Sequence, residues 1–542
     1  MSQWRSRAFQ LTRDRTFLLR VASGIIAVCT LISVSVLIIR GKQWPPPKMP
    51  SLSADEIAAS NEMVLGEEYQ LLRQAPAKEP ARVMKWLMEM QIPKGQSFDP
   101  VSLKCGEMDL AALFRQHAGD AELYEALAAY ARFRFDPDEA AREKAQADLA
   151  QISLRENAPR HANELYAESL LRQKRMKEVL GAWMREWTRF PDATLSRRYA
   201  FELALQLKDA SALQQLCSDK SFLRTVDALG LRDAAQIMSD RQMLFQAMAR
   251  MTWERWMQGA SLFIALFTAG IWYVILVYTA SRERFRWFRF LPAVFAGIVS
   301  VTVLLWFQET VDYRTPSDAG SEAPTLTHAM MDWILNVGLP EEAVKALLFA
   351  FFLPVLLHNG SPTKAALVGG CVGLGFALDE NLLYFSTHGS SLALGRFLTA
   401  NFLHIGLTGI LGWGTYELFR SRFHKATEFL TAFLGVTLAH GLYDFTAVIA
   451  GDEWGMDIMH VVILAAVAAF YLRLLHSGTE RPAGWVFSRT SIFIWGISLL
   501  VGVLMIAATY QMQNIKGITE TLSTALSLAV IGFIFLREFR EV

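Results

Sequence analysis

The chain has 542 residues, of which 52% are hydrophobic and 19% charged, and its formal net charge is +1. That length leaves room for more than one domain, and the near-neutral balance argues against a general nucleic-acid binder. Neither a Cys/His cluster with zinc-finger spacing nor a Walker-type phosphate loop occurs.

The first apolar run is Val21–Ile39, bracketed by Arg20 and Arg40 and preceded by Arg5, Arg7, Arg13 and Arg15. No small-x-small cleavage pattern follows it, so it reads as an uncleaved anchor with a cytoplasmic N-terminus. Pro45–Pro47 mark a linker.

Residues 41–257 are rich in Glu, Lys, Arg, Ala and Gln and carry a helical pattern. An offset of 33 residues aligns Ala167 with Ala200, Leu170 with Leu203, Gln173 with Gln206 and Leu180 with Leu213. That is near the period of helix-hairpin repeats of the tetratricopeptide sort. Few positions match, and an irregular α-helical domain accounts for them equally well. Cys29 and Cys371 lie in apolar runs. Cys105 and Cys217 could pair or stay free, and the sequence leaves both open.

From 258 onwards the chain is mostly apolar runs of membrane-spanning length, near 259–279, 290–307, 340–357, 365–386, 397–418, 427–450, 458–475, 491–510 and 519–536. With the N-terminus inside, the inside loops carry Arg282, Arg284, Arg286 and Arg289, then Lys364, then Arg420, Arg422 and Lys425, then Arg473, Arg481 and Arg489, then Arg537 and Arg540. The outside loops carry Asp312, Asp318, Glu322, Asp452, Glu453 and Asp457. This alternation follows the positive-inside rule. The expected fold is all-α: a polytopic plasma-membrane protein of about ten spans, both termini cytoplasmic, with an extracytoplasmic α-helical domain at 41–257. The expected divisions are 1–40, the N-terminus and anchor; 41–257; 258–475, the membrane core; and 476–542, further C-terminal spans.

Four consecutive spans carry ionisable groups that hydrocarbon disfavours. They hold Pro340-Glu341-Glu342-Ala-Val-Lys345; Phe376-Ala-Leu-Asp379-Glu380-Asn381 with Tyr384; Asn401-Phe-Leu-His404, shortly after Arg396; and His440-Gly-Leu-Tyr443-Asp444. Helical spacing lets Lys345 reach both Glu341 and Glu342, and lets Asp444 orient His440. At about 1.5 Å per residue, Glu380 lies roughly 9 Å, His404 roughly 10–12 Å and His440 roughly 15 Å from the outer end of its span. The Glu341–Glu342 pair falls at or just below the outer surface, deeper if its helix begins before Pro340. One buried site opening outward explains this common depth. A carboxylate there could act as general base on a water. Alternatively Glu380, His404 and His440 could bind zinc, which would activate the water. There is no HExxH pattern.

At these residues the chain resembles the PrsW family, distant relatives of the CAAX-processing membrane proteases. The resemblance rests on Glu341-Glu342-x-x-Lys345, Phe376-x-x-x-Glu380-Asn381, His404 and His440-x-x-x-Asp444, in that order on successive helices, and covers roughly 260–475. It implies proteolysis of membrane-anchored proteins near their extracytoplasmic boundary, with Glu341, Glu342, Glu380, His404 and His440 catalytic and Lys345, Asn381 and Asp444 supporting. Glu342 is favoured as the base, with the other carboxylate pairing Lys345. Asp379 is outside the motif and reads as a solvated or paired neighbour. The 41–257 domain would bind protein partners or sort substrates.

Two other classes compete. Buried Glu, His and Asp also build proton relays, so a proton-coupled transporter is one; it should show inverted repeats or broken helices at mid-membrane, whereas no internal repeat is visible and the polar groups sit off-centre. A non-catalytic membrane scaffold acting through 41–257 is the other. Carboxylate variants in a defined cleavage assay separate all three.

Overall fold

A computed structural model describes residues 3–39, 66–92, 96–280, 287–310, 325–449, 454–476 and 487–539. The Pro45–Pro47 linker and the loop residues Arg40, Arg282, Arg284, Arg286, Asp312, Asp318, Glu322, Asp452, Glu453, Arg481 and Arg540 lie outside the described residues. The chain divides into two compact units, one of Lys48–Met251 and one of Met1–Pro47 with Thr252–Val542.

The first unit is a succession of short helices. Its helix starts are written in the sequence by aspartates: Asp120 accepts from Leu123 N at 2.6 Å, Asp209 from Ala212 N at 3.0 Å, and Asp227 from Gly230 N at 2.6 Å. The helix Ala162–Arg172 has no cap of its own. Glu186, fully buried on the next helix, supplies one by accepting from the backbone N–H of His161 at 2.7 Å and of Asn163 at 3.3 Å. Ala162–Arg172 with Met176–Arg189 forms one helical hairpin, and Thr194–Leu207 with Ala210–Leu216 the next. Ala167 and Ala200 are buried in the first helix of each hairpin, Leu180 and Leu213 in the second. The only strands among the described residues are β1 (Phe98–Asp99), β2 (Lys104–Cys105) and β3 (Met108–Asp109), a small antiparallel meander. Cys105 and Cys217 are free, as are Cys29 and Cys371.

The second unit is built of long helices. They are α1 (Arg15–Ile39), α2 (Gly259–Ala280), α3 (Leu291–Thr310), α4 (Leu339–Ala350), α5 (Pro362–His388), α6 (Ala400–Arg420), α7 (Ala426–Ile449), α8 (Trp454–His476) and α9 (Arg489–Met512). Seven helices among the described residues are long and apolar enough to cross a membrane. An eighth span is available if the bent pair Lys516–Ser527 and Ala529–Glu538 counts as one. Two of the runs expected to span, 340–357 and 427–450, are not in that set. The second is α7, the helix that carries His440 and Asp444.

The first of these runs differs in its boundaries. Helical structure begins at Leu326, runs to Trp333, passes through a π turn at Ile334–Gly338 and continues into α4. It then breaks before a short helix, Leu353–Asn359. The run near 340 opens on Pro340, which is compatible with a helix start there. Instead the π turn absorbs the hydrogen bond that Pro340 cannot make. Glu341 and Glu342 therefore lie within a helix rather than at its exposed end.

The helices α5 and α6 form the centre. Of their apolar windows, 89% and 83% is buried by protein, against 11% for α1. So the helices that carry Glu380 and His404 face other helices, not lipid. Glycine makes the approach possible. A Cβ on Gly373 would overlap the carbonyl oxygen of His404, and a Cβ on Gly375 would overlap that of Val294 on α3. Small residues at helix contacts are the usual route to close packing in hydrocarbon.

Candidate active site

Four helices deliver the eight expected residues to one place. Lys345, on α4, is fully buried and is the hub. Its Nζ lies 2.9 Å from Glu342 Oε1, 3.2 Å from Glu341 Oε2 and 3.0 Å from His404 Nδ1. Phe376 of α5 lies beneath it, its ring centroid 3.7 Å from Nζ. Such a cation–π contact favours a desolvated cation.

His404 on α6 has partners on both ring nitrogens. Nε2 is 2.8 Å from Glu380 Oε2 on α5. Lys345 is a donor only, so Nδ1 must accept, and Nε2 carries the proton given to Glu380. The tautomer is thereby fixed. His440 on α7 turns Nδ1 to Glu342 Oε1 at 2.9 Å. Its Nε2 lies 3.5 Å from Glu341 Oε2 and 3.4 Å from Asp444 Oδ2. The two imidazole centroids are 5.1 Å apart.

A second layer holds Glu380. Arg396, on the short helix Ala393–Leu398, places one terminal nitrogen 2.8 Å from Glu380 Oε2. Its Nε donates to Asn381 Oδ1, and its guanidinium stacks on Tyr384 with Cζ 3.8 Å from the ring centroid. Asn381 in turn donates to Asn401 Oδ1 at 2.6 Å. Sequence reasoning had Asn381 in place and passed over the role of Arg396. An arginine inside a membrane helix was the signal available.

Asp379, next to Glu380, is also buried and paired. It accepts from Arg255 at 2.8 Å and from Trp256 Nε1 at 2.7 Å. It points to another face of α5 and does not enter the site. No sequence feature announced Arg255 or Trp256 as its partners.

The two adjacent carboxylates differ. Both touch Lys345, so the expected division between one catalytic and one paired glutamate is not made by Lys345. The difference lies in access. Glu342 is fully buried and bonded to Lys345 and His440, while the Glu341 side chain keeps 14% of its surface and has longer contacts.

Residues 283–472 match the family model of the PrsW family intramembrane metalloproteases. A 125-residue stretch is 29% identical to Protease PrsW of Geobacillus kaustophilus (strain HTA426), covering 22% of this chain and 53% of that relative. The chain thus matches about half the length of the relative. No solved structure shows significant similarity.

The family description raises the question of a metal. Among the described residues of the matched stretch 283–472, Glu341, His404 and His440 are the set that each offer a ligand atom within 4.8 Å of the others. Glu341 takes the place expected of Glu380, which is tied to Arg396. Two histidines and a glutamate are a known zinc donor set. The hydrogen bonding runs the other way. A histidine ligand donates its second N–H to an acceptor. Here the second nitrogen of His404 would meet the Lys345 ammonium, which has only protons to offer. The residues as arranged do not fit a divalent ion.

Proposed function

We propose that the chain is an intramembrane peptidase that hydrolyses peptide bonds of membrane-anchored proteins near the extracytoplasmic face. The observation that carries this reading is the convergence of Glu341, Glu342, Glu380, His404 and His440 around Lys345, inside helices packed against one another. Nothing about helix packing alone requires so many ionisable groups in one place, and each is costly there.

Glu341 is the proposed general base, since of the two adjacent glutamates it is the one that keeps access and the longer contacts. It takes a proton from water, the hydroxide attacks the scissile carbonyl carbon, and the proton passes to the leaving amine as the C–N bond breaks. His440 Nε2, between Glu341 and Asp444, is the nitrogen placed to hold the water or the oxyanion. Glu342 fixes His440 from its other nitrogen. Glu380 fixes His404. Asp444 assists His440 at longer range.

The Lys/Arg distribution supports an orientation with both termini cytoplasmic and Lys48–Met251 outside, in the plasma membrane. The outer unit would then bind protein partners and sort substrates, in the manner of helix-hairpin repeats. The test uses purified full-length protein in lipid discs and a panel of single-span substrates. Glu341→Gln should lower cleavage by roughly 10²–10⁴. Asp444→Asn should lower it by about tenfold, as an orienting group does. Wild-type cleavage by both variants would remove the peptidase reading and move a transporter ahead. A reporter after residue 100 that reads as cytoplasmic would reverse the orientation.

A further inference from the structure

We infer that Lys345 is the resident cation of this site, standing where a divalent metal would otherwise bind, and that the site works without a metal ion. The inference rests on the peptidase reading of the same residues and concerns what completes them.

The argument is one of hydrogen-bond polarity. The lone pairs a metal would need are those of Glu341 Oε2, a nitrogen of His404 and a nitrogen of His440. Lys345 Nζ is bonded to Glu341 Oε2 at 3.2 Å and to His404 Nδ1 at 3.0 Å, so it uses two of these three donors. The remaining nitrogen of His404 carries the proton it gives to Glu380. To ligate through Nε2, His404 would have to move that proton to Nδ1, against an ammonium. To ligate through Nδ1, it would have to displace the ammonium itself.

The ammonium is not free to leave. It is fully buried, its third bond goes to Glu342 at 2.9 Å, and Phe376 closes the space beneath it. Moving it from its two carboxylates would leave a buried charge uncompensated. A second fixed cation, Arg396, takes up Glu380. The carboxylates that would attract a metal are therefore already partnered by side chains. In this arrangement Lys345 is a positioning residue: it orients His404 and stabilises negative charge on Glu341, and it does not itself touch the substrate.

The test measures zinc directly and does not depend on activity. Full-length protein in detergent, wild type, His404→Ala and Lys345→Met, is dialysed against chelator and then against micromolar zinc, and bound metal is determined by elemental analysis. Wild type should hold no zinc beyond what His404→Ala holds. Lys345→Met, freed of the ammonium, should gain one equivalent, and zinc should raise its melting temperature as a ligand specific to the folded state does. His404-dependent zinc in the wild type would overturn the proposal. Failure of a folded Lys345→Met or Lys345→Gln variant to gain zinc would overturn the role given to Lys345. In the cleavage assay, chelated wild type should keep its full rate; loss on chelation restored by zinc would also overturn the proposal. A folded wild type that holds no zinc and cleaves nothing would count against the peptidase reading alone.

Discussion

Arg255 closes an ion pair with Asp379 at 2.8 Å, with Asp379 fully buried and Arg255 nearly so. The pair ties the stretch just ahead of α2 to the residue beside Glu380. Trp256 adds a second bond to the same carboxylate. Because successive residues of a helix point about 100° apart, holding Asp379 outward turns Glu380 inward.

Removing one partner of such a pair strands the other. Asp379→Ala should destabilise the protein by about 3–5 kcal/mol, whereas a double change of Arg255→Met with Asp379→Leu should recover most of that loss. Thermal unfolding in a mild detergent, arranged as a double-mutant cycle, measures both. Additive losses in the double variant would show that the pair contributes nothing as a pair.

Arg396 makes three different contacts, to Glu380, Asn381 and the ring of Tyr384. Only a planar guanidinium can make all three, so Arg396→Lys should not substitute. Cleavage should fall by roughly tenfold or more in Arg396→Lys, close to the loss in Arg396→Met. A lysine variant with wild-type turnover would reduce Arg396 to a point charge.

Close helix approach at α3 and α5 depends on hydrogen in place of a side chain. Gly375→Val should cost at least about 1–3 kcal/mol, because the helices must separate to admit it. The change adjoins Phe376, on which Lys345 rests, so turnover should fall along with the melting temperature. Gly435→Ala, where a Cβ meets nothing within 4 Å, is the control and should change neither.

Cys217 lies in the first unit. Burial pushes its thiol up to about 11. The reactive thiolate predominates only above that value, and at pH 8 about one molecule in a thousand carries it. Iodoacetamide labelling of Cys217, followed by peptide mass spectrometry, should be slow at neutral pH. It should rise about tenfold per pH unit towards pH 10, and become fast once the fold is opened by urea. Rapid labelling of the folded protein at pH 7 would contradict this.

Much of the site was legible in the sequence because membrane helices make ionisable residues conspicuous. Glu341, Glu342, Lys345, Glu380, His404 and His440 stand out from their apolar neighbours, and their spacing alone predicts the Lys345 contacts. What the sequence could not give was partners distant along the chain. Arg255 is 124 residues from Asp379, and one charged residue in a polar helix carries no mark of its destination. Asp379 therefore reads from the sequence only as a solvated or paired neighbour, with no partner named. The start of the helix bearing Glu341 stayed open for another reason: Pro340 is an ordinary boundary signal, and a π turn that carries a helix through it leaves little trace in composition. The roles of the paired glutamates also depended on access, which only packing determines.

That π turn has a geometric effect on everything ahead of it. A π turn holds one more residue than the α turn it replaces, so it advances the angular phase of the helix by about 100°. The segment Leu326–Trp333 and α4 are thus one rod with two facings. Deleting a single residue from Ile334–Gly338 would restore a common phase. The Glu341 face and the Leu326–Trp333 face would then compete for their partners on α7, and only one of them could keep its place. The inserted residue acts as a rotational spacer that lets α4 aim its carboxylates inward whatever the facing of the helix before it.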